Sequence, residues 1–319
     1  MIQSSTKLTR SNLRGVWAAL ITAWSDDDTL DEPGFERHVR RYASLGVHGV
    51  YTGGTTGEFY AQDDNTFERI THIACQAAHQ AGVPVQIGCT ALSTRTAIAR
   101  AKLAVAAGAD AIQIALPFWL ALKNDEAAGF LYDVAQAVFP TPIVLYHTDR
   151  AKFKFSPAQI AELASRIPTL IGTKDGGCDL EALDLMHKLV PDLAIFGGEG
   201  DMTTRMARGG RGTYSSVVGL SPRALLKLFT LCETGQFSQA QQIQTAIHGV
   251  IHEVALLWVK RDGLWDSALD RIFYAAGGGE VGLRCQSPLR SGNVEHVREM
   301  TQWCQKHAPY LVNDKIPLP

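Results

Sequence analysis

Three short stretches of this 319-residue chain carry side chains that could react together. The first, TLIGTKDGG (169–177), brings an apolar run to Lys174. A lysine drawn into an apolar setting loses hydration, which disfavours the ammonium, and a neutral amine can attack a carbonyl to form an imine. The bland alternative has its head escaping to solvent or pairing with Asp175, and position alone leaves the two open. The second stretch, PIVLYHTDR (142–150), brings another apolar run to Tyr146. A phenol beside a cationic imine can pass protons to and from a substrate; without the lysine it is as readily a packing tyrosine with a wet hydroxyl. Strand alternation turns His147 away from Tyr146 and gives it a structural role. The third stretch, VYTGGTTGEFYAQ (50–62), gathers Gly53, Gly54 and Gly57 with Thr55 and Thr56. Glycines let backbone amides converge without Cβ obstruction, and the threonines add hydroxyl donors, a nest suited to a carboxylate or phosphate. A glycine-rich turn with a threonine cap is its structural alternative. Glu58 has no second carboxylate beside it and is read as orienting the loop. His248 and His252 share a helix face but lack a third ligand, so no metal is expected. Lys260 follows apolar residues in a helix and is read as snorkelling to the surface.

What must hold these stretches is a series of short, nearly continuous apolar runs. They are 16–23, 49–52, 83–89, 111–116, 142–147, 170–174, 193–196 and 212–217, and runs of that kind suit strands buried on both faces. Between them lie helix-period stretches with start signals at Ser93, Ser156-Pro157 and Ser221-Pro222 and glycines at Gly46, Gly82 and Gly108 near their ends. Eight such units in roughly 210 residues predict an α/β fold, a (β/α)8 TIM barrel, rather than a doubly wound sheet. GGTTGE is not GxGxxG, and no GxxxxGK[ST] occurs. Beyond residue 222 the strand signal stops, and helices are expected at 238–260, 267–276 and 293–311. The resulting division is a tail at 1–14, a barrel with the active site at 15–222 and a helical domain at 223–319. In such barrels chemistry sits where strands end, which directs attention to Gly53–Glu58, Pro117–Trp119, Tyr146–Arg150, Lys174-Asp175, Gly197–Asp201 and Ser215-Ser216.

Composition narrows the class. Thirty basic against 32 acidic side chains and a net charge of −2 give no footprint for nucleic acid or membrane. Six scattered cysteines without a CxxC pair read as buried thiols of a reducing compartment. The polar start MIQSSTKLTRSNLRG has no apolar signal core, and no apolar run of about 18 residues occurs, so a cytoplasmic protein is expected.

With Lys174, Tyr146 and GGTTGE at strand ends, the chain resembles the dihydrodipicolinate synthase/N-acetylneuraminate lyase family of Schiff-base-forming class I aldolases. The likeness runs through GVWAALITAW, GGTTGE, VLYHTDR, IGTKDGG, GGEGD and GGRGTYSSVVGLSP, and the spacing of Tyr146 and Lys174 fits it. It implies a Schiff base between Lys174 and a 2-keto acid, proton shuttling by Tyr146, and a substrate carboxylate held by Thr55 and Thr56. Lys174, Tyr146 and Thr55 form the expected catalytic set. Thr56, Gly54, Arg150, Gly198, Glu199, Ser216 and Trp119 form the expected substrate-binding set. The resemblance implies a homo-oligomer, usually a tetramer, and no cofactor beyond the lysine imine. Departures steer the choice of reaction. Trp119 stands where synthases of the family place a relay tyrosine, and an indole donates without passing a proton on. His147-Thr148-Asp149-Arg150 replaces the synthases' Asn-x-Pro-Ser-Arg, with the arginine one place earlier. Glu199, Asp201 and Ser216 partly echo groups that hold sugar hydroxyls in the lyases. The expectation is a metal-independent lyase acting on a 2-keto acid, with pyruvate as keto partner in an aldol cleavage or condensation. The alternatives are a keto-deoxy sugar acid dehydratase or deaminase using the same imine, and a keto-acid-binding barrel without turnover, its second subsite blocked by Trp119.

Overall fold

In a computed structural model that describes residues 7–175 and 179–319, eight strands pair in chain order, and the last returns to the first. The polar first six residues and Cys178 lie outside the described residues. The strands are β1 (Gly15–Ala19), β2 (Gly49–Thr52), β3 (Val85–Gly88), β4 (Ala111–Ile114), β5 (Ile143–Tyr146), β6 (Leu170–Lys174), β7 (Ala194–Gly197) and β8 (Gly212–Ser215), each parallel to both neighbours. Helices α1 (Glu32–Ser44), α2 (Asp64–Gln80), α3 (Thr94–Ala106), α4 (Asn124–Ala137), α5 (Pro157–Arg166), α6 (Leu180–Leu189), α7 (Met202–Met206) and α8 (Pro222–Glu233) follow the strands in turn. This is a (β/α)8 barrel.

The near-continuous hydrophobicity of the strands follows from burial on both faces. Trp17, Ala19, Tyr51, Ala111, Val144, Phe196 and Tyr214 form one buried cluster inside the barrel. Their chain neighbours Val16, Ala18, Val50, Ile112 and Leu145 belong to the larger core that includes the apolar helix faces. The helices start where the sequence signals them. Ser93 accepts the Thr96 amide, and Ser156 forms a capping box with Gln159 while Pro157 opens α5. Ser221 precedes Pro222 in α8 but makes no side-chain cap bond. Gly82, just beyond α2, has φ +73°, the left-handed geometry that ends a helix without Cβ strain.

Several strands are shorter than the apolar runs that announce them. Beyond Ala19 the first run leaves the ladder: the Ile21 amide donates to His38 Nε2, and the Thr22 hydroxyl donates to the Gly57 carbonyl. Only the Leu20 amide still reaches the neighbouring strand, donating to the Tyr51 carbonyl at 2.8 Å; the residues after it are engaged by α1 and by the glycine-rich loop. The expected single helix at 238–260 is divided into α9 (Phe237–Gly249), a π-helical stretch Val250–Ala255 and α10 (Leu256–Asp262). The widening occurs where the Trp303 indole lies against Gly249 and donates to Glu253 at 3.1 Å. Two further helices, α11 (Asp266–Ala276) and α12 (Val294–His307), complete the extension. The five described cysteines are buried free thiols. Among the described residues no helix is long and apolar enough to cross a membrane.

Candidate active site

Strands β5 and β6 pair so that Tyr146 and Lys174 are register partners at the barrel mouth. The Lys174 Nζ lies 4.2 Å from the ring centre of Tyr146, 4.7 Å from that of Tyr51 and 5.6 Å from that of Tyr214. It donates a hydrogen bond to Tyr51 Oη at 2.8 Å. The amine therefore faces the mouth, and Asp175 turns the other way. Asp175 accepts from His147 Nδ1 at 2.6 Å and Lys154 Nζ at 3.0 Å, while His147 Nε2 accepts the Phe155 amide. His147 is thus a buried brace behind the rim, as alternation requires.

Opposing influences set the affinity of the lysine for its proton. Burial alone would favour a neutral amine, but the phenols of Tyr146 and Tyr51 outweigh it and hold the Lys174 pKa above its ordinary value. The same ammonium lowers the Tyr146 pKa against burial, with further help from Arg150 and Thr55. For Tyr51, burial dominates and raises the pKa despite Lys174. Two phenols flank one amine, and their environments push them in opposite directions.

The glycine-rich loop forms the facing rim. Gly53 has φ +73°, and a Cβ there would run into the Gly88 carbonyl at the end of β3, so no other residue lets the loop fold over so closely. A Cβ on Gly54 would press on the Tyr51 ring at 3.0 Å. Glu58, in left-handed geometry at φ 52°, anchors the loop. It accepts from Arg271 Nη2 and Trp24 Nε1, both at 2.8 Å, and from the Gln286 amide. Glu58 and Arg271 are both 0% exposed, a buried ion pair between the barrel and α11.

Helix α11 carries several more groups to this rim. The Ser267 hydroxyl lies 2.9 Å from Tyr60 Oη, Asp270 accepts the Thr56 hydroxyl at 2.6 Å, and Asp266 pairs with Arg150 at 2.8 Å. Burial, then the charge of Asp266, lifts the Asp270 pKa to about 7. A cavity of about 350 Å³ opens between loop and helix, walled by Gly53, Gly54, Thr55, Tyr146, Arg150, Asp266 and an apolar set that includes Leu116, Phe118, Trp265 and Leu289.

The structure thus brings Lys174, Tyr146, Thr55 and Gly54 together, with Thr56 on the same loop, and of the expected substrate-binding residues it places Trp119 off the cavity. Arg150 lines the cavity, where it hydrogen-bonds Tyr146 and pairs with Asp266 at the start of α11. Trp119 is 74% exposed and off the cavity wall; the chain bends at Trp119 and Leu120, so Phe118 faces the cavity while Trp119 lies outside against Lys152. Glu199, just beyond β7, reaches across to the end of β8, accepting from the Ser215 hydroxyl and the amides of Ser216 and Val217. Gly198 has no close neighbour that a Cβ would meet, so packing there does not demand glycine. Ser216 sits beside Asp270 and hydrogen-bonds it. Tyr51, Asp266, Asp270 and Arg271 escape the sequence reading. For Tyr51 the available signal is alternation, which points it inward beside outward Val50. For the others it is the polar spacing Ser267, Asp270, Arg271, Tyr274 on a helix buried all round. Among the described residues, no three His, Cys, Asp or Glu side chains group as a metal site.

Comparisons with known proteins agree with this geometry. The chain is 32% identical to a 4-hydroxy-tetrahydrodipicolinate synthase of Salinibacter ruber over 220 residues, 67% of this chain and 72% of the relative. It is 35% identical over 204 residues to a probable 5-dehydro-4-deoxyglucarate dehydratase of Corynebacterium glutamicum, covering 62% of each. Its fold matches a prophage protein of the dihydrodipicolinic acid synthase family from E. coli K12, solved in complex with pyruvate, with TM-score 0.83 at 21% identity over 92% of this chain and 98% of that one. Residues 12–260 match the dihydrodipicolinate synthetase family, and the chain belongs to that family as an enzyme of the lyase type.

Proposed function

We propose that the protein is a metal-independent class I lyase that forms an imine between Lys174 and a 2-keto acid, with pyruvate as keto partner in an aldol cleavage or condensation. The observation that carries this reading is the Lys174 amine held among three tyrosine rings at the mouth, 2.8 Å from Tyr51 Oη. In the resting pair the proton sits on Lys174, so it must first leave. Tyr51, its pKa raised by burial, keeps its own proton and fixes the amine. Tyr146, its pKa lowered by the ammonium, is the phenol that can ionise and accept one. The freed amine adds to the C2 carbonyl and water leaves. Tyr146, having returned its proton to the departing water, takes the C4 hydroxyl proton, and the cationic imine draws the electron pair of the C3–C4 bond into an enamine as the aldehyde departs. Protonation at C3 and hydrolysis return pyruvate and the amine. Thr55, Thr56 and the Gly54 backbone take the substrate carboxylate, and the apolar cavity wall takes the rest. No cofactor besides the lysine enters this scheme.

A second reading draws on the 35% identity to the probable dehydratase. There the same imine expels a β-substituent, a hydroxyl or an amine, from a keto-deoxy sugar acid, so no carbon–carbon bond breaks. A panel of 2-keto-3-deoxy acids separates the two: release of pyruvate supports the aldol reading, and loss of water without pyruvate supports the dehydratase. Borohydride trapping at Lys174 with no turnover on the panel identifies a binding barrel instead. We further infer a homo-oligomer, since Trp119 and Leu120, 74% and 72% exposed, place adjacent apolar side chains in water. Sedimentation of the native protein and of Trp119→Asp tests this, with dissociation expected in the variant. Buried free thiols fit a reducing, cytoplasmic setting.

A further inference from the structure

Helix α11 buries a carboxyl group against Thr56 of the glycine-rich loop without a cationic partner among the described residues. Asp270 is 4% exposed, accepts the Thr56 hydroxyl at 2.6 Å and is hydrogen-bonded by Ser216. No described Lys, Arg or His pairs with it, and its chain neighbour Arg271 is committed to Glu58. Titratable groups that interact with it include Asp266 on its own helix, Glu199 beyond β7, Tyr51 on β2 and Tyr42 on α1. Of these, the carboxylates of Asp266 and Glu199 oppose a charge on Asp270, while the phenols of Tyr51 and Tyr42, both pushed up, stay protonated. Burial and Asp266 accordingly raise its pKa to about 7.

Thr56 is also the hydroxyl that, in the function proposed above, holds the keto-acid carboxylate, and the present inference rests on that reading. Two ionised carboxylates cannot crowd one hydroxyl donor in a water-poor pocket; one of them must carry a proton. We propose that Asp270 receives the substrate carboxylate as the neutral acid and donates its O–H to it, so that binding takes up one proton from solvent whenever Asp270 begins ionised. The proton joins an Asp270 oxygen, the substrate stays anionic, and no covalent bond changes. Affinity for a 2-keto acid is then greatest where Asp270 is already protonated. It falls as pH rises through neutrality, by about tenfold per pH unit at the alkaline limit.

The test is the pyruvate concentration that half-saturates borohydride trapping, measured from about pH 6 to 9 in wild type and Asp270→Asn, with pyruvamide as the uncharged control. Titration of Lys174 affects both proteins alike, so the ratio between them isolates Asp270. The half-saturating concentration should climb with pH in wild type only, stay flat in the variant, and show no such divergence with pyruvamide. Calorimetry on the wild type in two buffers of different ionisation enthalpy should also register nearly one proton taken up per pyruvate bound above neutrality, whatever the fate of the variant. Parallel profiles, or no proton uptake, with adduct still forming, overturn the role of Asp270 alone. No adduct in wild type at any pH overturns the keto-acid reading and this inference together.

Discussion

The two sides of the barrel mouth are built differently. On the β5–β6 side, reactive groups extend from adjacent strand ends, Tyr146 opposite Lys174, and the brace behind them is local: His147 and Asp175 are their immediate chain neighbours. On the β2–β8 side, the polar groups belong to loops, and α11 holds them from more than 200 residues away. Glu58 is tied to Arg271, and Thr56 to Asp270. One rim is set by strand register, the other by the docking of the helical extension. Changes on the first should therefore damage chemistry while sparing stability, and changes on the second should cost stability first.

Substitutions test that contrast in descending order of effect. Lys174→Ala should abolish borohydride-trapped adduct while leaving the thermal midpoint close to wild type; a surviving adduct would place the chemistry on another lysine. Tyr146→Phe should slow turnover by about 10²–10⁴-fold, the range for a positioned acid–base group, and an unchanged rate in steady-state assays would remove its proton-transfer role. Arg271→Ala strands Glu58 in the core and should cost about 3–5 kcal/mol in chemical denaturation, with adduct still forming on the folded fraction. Were stability unaffected, α11 would not be what secures the glycine loop. Tyr51→Phe removes groups that raise the Lys174 pKa, so the alkaline limb of the trapping rate should move to lower pH. A limb that stays in place, or moves up, would contradict the part given to Tyr51. Arg150→Ala breaks a half-exposed pair with Asp266 and should change stability by only about 0.2–1 kcal/mol. A much larger loss, or a steep rise in KM for keto acids, would make Arg150 a carboxylate clamp.

The same contrast explains which parts of the site are legible in the sequence. Lys174, Tyr146 and the direction of His147 follow from apolar runs and the two-residue period of a strand, whereas the need for glycine at position 53 shows only once β3 brings the Gly88 carbonyl beneath the loop. Arg150 cannot be placed that way, because its partner Asp266 lies in another part of the chain and surface pairing leaves no periodic mark. Trp119 misleads for a related reason: beyond β4 the chain bends, and alternation no longer says which side chain faces inward. The charge of Lys174 is hidden because an apolar run reveals desolvation, whereas Tyr51 and Tyr146 converge on the amine only once the barrel closes. Asp270 needs the most context, since nothing about a helical aspartate announces that it will meet Thr56 below the surface of the barrel mouth.

The most direct measurement is reduction of the wild-type protein with borohydride in the presence of pyruvate, followed by peptide mass mapping. One reduced pyruvate adduct is predicted, on the peptide that contains Lys174, and it should be lost in Lys174→Ala. Label on Lys152, Lys154 or Lys260 instead, or none on any lysine at saturating pyruvate, would contradict imine chemistry at the β6 strand end.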